Sequence, residues 1–212
     1  MNSPTNAERR KRLPLWLASN MLDNIRVSFI FGPVLVLFLD ALKFDRSQIG
    51  VLLAIPLFFQ VMAIFIVPLV ERLGYKKSSI IFLGLRTVIL LGLLLTPWVS
   101  QHYGSNGAFL WVTFVMLIFS ISLVTGCTAV GPWSQEILPT NIRSKIIAIN
   151  TFLCSIIVLL GTWFAGFWIE RSQGLSGFMF LIGTGTIVGI AAIAFQGFFP
   201  GGGRIARKSH SR

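Results

Sequence analysis

The sequence predicts an all-α integral membrane protein with six transmembrane helices, and three observations carry that prediction. The 212 residues are 54% hydrophobic and only 12% charged, against about a quarter charged in a soluble domain. Mean hydropathy is +0.79, more apolar surface than a chain of this length can hide from water by folding alone. The apolar residues also come in continuous runs, matching the ~20 residues of a helical crossing. A β-barrel would need strands of about ten residues with alternating polarity.

Residues 1–14 form a basic tail containing Arg9-Arg10-Lys11-Arg12. The first span, 15–39, opens on Trp16, an amphipathic ring suited to the membrane interface, and contains Pro33. A polar turn over 40–48 leads to the second span, 49–70, which carries Pro56 and Pro68. The charged turn Glu71-Arg72-Leu73-Gly74-Tyr75-Lys76-Lys77 follows, then the third span, 79–99. Turn residues over 101–107, including Gly104 and Gly107, predict a loop. The fourth span, 108–130, is expected to close at Gly131-Pro132, leaving 133–145 as the longest polar connection. The fifth span, 146–168, is followed by Glu170-Arg171-Ser172-Gln173-Gly174. The sixth, 178–199, stops at Pro200-Gly201-Gly202-Gly203, before the basic segment that completes 200–212. The spans form one bundle over 15–199.

The net charge of +11 would suggest nucleic acid on a soluble protein, but here the bases lie between apolar runs, so no nucleic-acid partner is expected. Thirteen of the eighteen Lys and Arg fall on one side of the alternating connections, and three, Lys43, Arg46 and Arg171, on the other. The positive-inside rule then places both termini in the cytoplasm of a cell (plasma or inner) membrane. Membrane lipid is the immediate partner. No cleavable signal peptide stands out. Cys127 and Cys154 lie within apolar runs and are expected to be small buried residues rather than a disulfide. His102 and His210 lie in a loop and a tail, and no zinc, nucleophile-elbow or phosphate-loop motif occurs. No enzyme, cofactor or metal is expected.

Three charges fall within spans: Asp23, Arg26 and Arg86. Each costs at least ~2.5–3.5 kcal/mol to place in hydrocarbon, so such groups face a partner or a watery cavity. Asp23 and Arg26 are spaced to pair on one helix. With Asn20 and Asn24 they make a polar stripe near mid-membrane, either a solute pathway or a structural pair. Arg86 is read as a structural partner or as snorkelling to the interface. Gln60 and Asn150 could line the same cavity. Gly161-x-x-x-Ala165 and Gly185-x-x-x-Gly189 are small-residue patches for close helix packing or for a partner subunit.

The turn after the second span, from Val67 to Lys76, resembles the signature turn of the major facilitator superfamily of transporters. Arg72, Gly74 and Lys76 match that pattern; Val67, Glu71 and Tyr75 stand where the family has Gly, Asp and a first base. Ser47-Gln48-Ile49-Gly50 is similar to the family's second-helix start. Glu136, Pro139, Arg143 and Lys145 resemble its Glu-x-x-Pro-x-x-x-Arg-Gly/Ser-Lys motif between spans four and five. The family's antiporters often carry an Arg in span four, which is uncharged here.

The resemblance implies an N-terminal six-helix half built of two inverted three-helix repeats, with Glu71-Arg72 and Glu170-Arg171 as a faint echo of them. It implies gradient-driven, alternating-access transport of an unidentified small solute. Glu71, Arg72, Gly74 and Lys76 would form a cytoplasmic gate with Glu136, Pro139 and Arg143. Because the family has twelve or more spans, a homodimer or a missing C-terminal half is expected as partner, with 200–212 as the start of a central linker. The alternative is a non-transporting six-helix scaffold that needs a second half.

Overall fold

The computed structural model describes the backbone of residues 6–138 and 140–198, and the side chains of 13–135, 138 and 141–198. Among these residues every regular element is helical. Helix α1 (Asn6–Ile30) starts inside the predicted basic tail, and α2 (Pro33–Ala41) completes the first apolar run. The break falls at Gly32, with φ 63°, and Pro33 opens α2 at the position where its missing N–H is least costly. A short connection leads to α3 (Arg46–Val61), whose start is capped by Asp45 N donating to Gln48 Oε1 at 3.0 Å. Helix α4 (Ala63–Leu73) follows at a bend of 61°. At the bend Met62 N and Phe65 N reach carbonyls only three residues back. Pro56 and Pro68, which remove further helix bonds, flank it. Then come α5 (Tyr75–Ile89), a 3-10 stretch Leu90–Leu95, α6 (Thr96–Ile137), α7 (Arg143–Arg171) and α8 (Ser176–Gly197).

Two expected connections are replaced by helix. The loop over 101–107 is helical except at Gly104, which has φ 71° and ψ −174°. Gly131-Pro132 does not end its helix. Helix α6 runs on through Pro132 to Ile137, so the connection shrinks to 138–142. The reason is packing beyond the proline: Trp133 is buried in a cluster with Val70, Tyr75 and Ala129, against Leu15, Trp16 and Ile66.

Among the described residues, four stretches can cross a membrane by length and apolarity: Leu13–Ala41, Tyr75–Gln135, Arg143–Arg171 and Ser176–Gly197. The bent α3–α4 pair makes a fifth if counted as one span. Six were expected, and the difference lies in Tyr75–Gln135. As a straight rod its 61 residues would reach ~90 Å, about three hydrocarbon cores. It is instead a hairpin. Trp111 Nε1 donates to Gly92 O at 2.9 Å. A Cβ added to Gly92 would lie 2.9 Å from Val115 Cγ2, and one on Gly126 would lie 2.8 Å from Leu83 Cγ. The two legs pack antiparallel about Gly104, whose positive φ suits a residue without a side chain.

The remaining packing makes a bundle with two ends. Helix α1 lies against α7 and α8, α6 against α3, α4 and α5, and α5 also touches α8. At one end Leu15 and Trp16 meet Val70, Tyr75 and Trp133, and Lys76 Nζ donates to Gly197 O at 2.9 Å. At the other end Phe44 meets Phe109 with ring centroids 6.1 Å apart. The outward surface is apolar: on α3 and α4, Leu57, Phe58, Val61, Ile64 and Phe65 are each 65–77% exposed. A contiguous patch of this kind marks surface covered by lipid or by another protein. Both cysteines are free, and neither is buried as expected: Cys127 is exposed and Cys154 half-buried.

The hairpin can be tested by cross-linking. With the native cysteines replaced by serine, Gly92→Cys and Val115→Cys form a disulfide in membranes under mild oxidation. A continuous rod would hold these positions ~35 Å apart, far beyond disulfide reach.

Candidate functional site

The charged cluster sits midway along the bundle. Asp23 and Arg26 lie one turn apart on α1, and Arg86 reaches the same carboxylate from α5. Asp23 Oδ1 accepts from Arg26 Nε at 2.9 Å and from Arg86 Nη2 at 2.8 Å. Both arginines are buried, while the Asp23 side chain stays 30% exposed. The expected Asp23–Arg26 pair is therefore a three-residue bridge. Of the two roles read for Arg86, the geometry gives it that of a partner, not of a side chain snorkelling to the interface.

The arginines need room, and glycine provides it. A Cβ on Gly189 of α8 would overlap Arg26 Cδ and come within 2.9 Å of Thr87 Cγ2. Gly185 takes Ile30 in the same way, and Gly161 of α7 takes Ser28. Ser19 Oγ donates to Ala192 O at 3.0 Å, tying α1 to α8 beside the cluster. Both small-residue patches thus serve packing inside this chain, against α1. Sequence reading found the patches but not their connection to Arg26.

One carboxylate between two guanidiniums leaves a surplus positive charge. Arg26 Nη1 and Arg86 Nε are buried with no hydrogen-bond partner. An unmet buried donor costs about 1–3 kcal/mol, and more when charged. The other acidic residues with described side chains, Asp40, Asp45, Glu71 and Glu170, lie at helix ends. No second carboxylate among them balances the pair of arginines.

Beside the cluster an open groove of about 660 Å³ runs between α1 and α7, its lining a mixture of Asn24, Asn150, Thr151, Cys154, Ser155 and Thr162 with the apolar Val158 and Leu159. Asn24 Nδ2 is held by Asn20 O at 2.8 Å, and Asn20 Nδ2 by Trp16 O at 3.0 Å. Each side-chain amide thus satisfies its own helix while one stays at the groove. Asn150 Oδ1 is buried with no partner. The groove brings Asn24 and Asn150 together as expected, whereas Gln60 is exposed on α3 and is not among its lining residues. Thr151, Cys154, Ser155 and Thr162 went unread, although their helical spacing with Asn150 was a usable signal.

Glu71, Arg72, Gly74 and Lys76, expected in the gate, lie at the turn between α4 and α5. Glu71 and Arg72 are exposed and make no ion pair among the described residues. Gly74, with φ 91°, ends α4 and lets α5 begin at Tyr75. Tyr75 and Val70 pack beneath Trp133, and Lys76 caps the C-terminus of α8, where a cation is favoured. Arg143 Nη2 donates to Gln135 O at 2.7 Å, bracing the connection 138–142 instead of meeting the 71–72 turn. The Glu136 side chain and Pro139 lie outside the described residues. Apolar contact and a capped carbonyl contribute to holding this turn.

Among the described residues no three His, Cys, Asp or Glu side chains gather where a metal could bind. The groove and bridge suit solute binding or structural pairing. Substitution at the glycines separates tight seats from open ones. Gly189→Ala should lower the thermal midpoint of the detergent-solubilised protein by an amount equivalent to about 1–3 kcal/mol, as overpacking costs. Gly183→Ala, which meets nothing within 4 Å, should be neutral or slightly stabilising. No family model, curated protein or solved structure matches the chain.

Proposed function

We propose that this chain is a six-crossing half of a secondary transporter of the major facilitator type, moving a small solute by alternating access. The observation that carries the reading is the set of polar side chains in the α1–α7 groove. Residues 150–162 centre on the midpoint of α7, so the groove's polar groups lie at the depth where lipid is least able to satisfy them. Polar and ionisable groups at such depth face a water-filled cavity or a partner. A second six-helix unit, a copy of this chain or a separate half, covers the groove and turns it into a pathway between units.

The packing pattern supports six crossings in two inverted sets. With the Gly104 hairpin read as two spans, the first span packs on the fifth and sixth as the fourth packs on the second and third. The two turns compared in the sequence each carry a positive-φ glycine, Gly74 at 91° and Gly174 at 59°. The end holding Trp16, Lys76 and Trp133 is the cytoplasmic one, by the weight of basic residues beside it. Arg72 and Lys76 work there as topology-setting charges and a helix cap, and opening of this end separates the Trp133 cluster.

Cys154 in the groove offers a native probe. In a Cys127→Ser background, a membrane-impermeant maleimide should modify Cys154 in sealed vesicles of either orientation, because alternating access wets the groove from each side in turn. Modification from neither side returns the chain to the non-transporting scaffold reading.

A further inference from the structure

The groove brings polar side chains of α7 beside the charged cluster. Asp23 offers one negative charge to two positive ones, and one oxygen, Oδ1, takes a hydrogen bond from each arginine. Each guanidinium carries five N–H groups. Arg26 Nη1 and Arg86 Nε remain buried and unmet. Both side chains are more than nine-tenths buried, so water and salt do not neutralise the surplus as they would at a surface. The least buried edge of the cluster is Asp23, at 30% side-chain exposure, one residue from Asn24 of the groove.

We propose that this edge is an oxyanion site: a small solute with a carboxylate or phosphate group supplies the missing counter-charge to Arg26 and Arg86. Planar guanidinium donors match such groups better than they match halide or a neutral solute. The bound oxyanion shares the arginines with Asp23, and the amide and hydroxyl groups of Asn24, Asn150, Thr151 and Ser155 take the rest of the molecule. A cationic solute is disfavoured because the cluster is positive overall. Asp23 sets the strength of the site: it cancels one arginine, so that the anion is held by one net charge and can leave. The inference deepens the transport reading and rests on it in treating the anion as cargo.

The test uses the full chain purified in detergent micelles and melted in the presence of sodium gluconate, sodium phosphate or methylammonium chloride, with sodium chloride keeping ionic strength constant. Gluconate or phosphate should raise the melting midpoint saturably, and methylammonium should not. Arg86→Gln should weaken the apparent affinity at least tenfold, and Arg86→Lys only a few-fold. If Arg86→Gln does not fold, the wild-type series and Arg86→Lys decide. No saturable effect of either oxyanion, or saturation by methylammonium, overturns the proposal. Uptake of the labelled probes into proteoliposomes separates the two readings. Oxyanion binding without uptake keeps the site and removes transport. Methylammonium uptake that survives Arg86→Gln keeps transport and removes the oxyanion site.

Discussion

One carboxylate sets the terms for the centre of this bundle. Asp23 allows two arginines to sit almost fully buried, and through them it joins α1 to α5 over the α8 glycine. Without it, two guanidiniums would face each other in a low-dielectric interior, a costly arrangement. Around this bridge the packing is as close as backbone permits. Gly189 and Gly185 admit Arg26 and Ile30, and Gly161 admits Ser28. In lipid, where burying apolar groups gains little, such contacts and polar pairs supply much of what holds helices together. The bridge therefore fixes the relative height of α1, α5 and α8.

Fixing those helices has a consequence for what stays open. With α1 committed to α5 and α8 on one side, its Asn24 edge faces α7, which is little covered elsewhere. The outer faces of α3 and α4 are likewise apolar and exposed. The bundle thus combines a rigid charged centre, a polar groove beside it, and broad apolar faces left for lipid or a second unit. At the end carrying Trp16 and Trp133, apolar side chains and a lysine–carbonyl cap help to close the bundle.

Much of this was legible in the residues, and the gaps have physical causes. The apolar runs foretold the helical architecture because each run is locally sufficient for a helix. The i,i+3 spacing of Asp23 and Arg26 foretold their pair because both sit on one helix. Arg86 could only be settled by tertiary packing, since sequence distance says nothing about which helix α5 meets. Gly104 and Gly131-Pro132 look like loop punctuation, yet α6 keeps its helix through Pro132 because Trp133 gains a buried seat beyond it. Gly104 confines the reversal to one residue within a helical stretch. The charged turn suggested ion pairs; Arg143 donates to the Gln135 carbonyl and Lys76 to a helix end, contacts that only tertiary packing decides. The groove's α7 face was readable at helical spacing, but hydroxyls and a thiol inside an apolar run do not stand out by composition.

If the Asp23 bridge is what the central packing depends on, its two ends must be energetically coupled. A double-mutant cycle on Asp23→Asn and Arg86→Gln, measured by unfolding of the detergent-solubilised protein, tests this most directly. A coupling of about 2 kcal/mol is expected, with the double variant more stable than the sum of the single losses implies. Losses that add to within about 0.5 kcal/mol would contradict it.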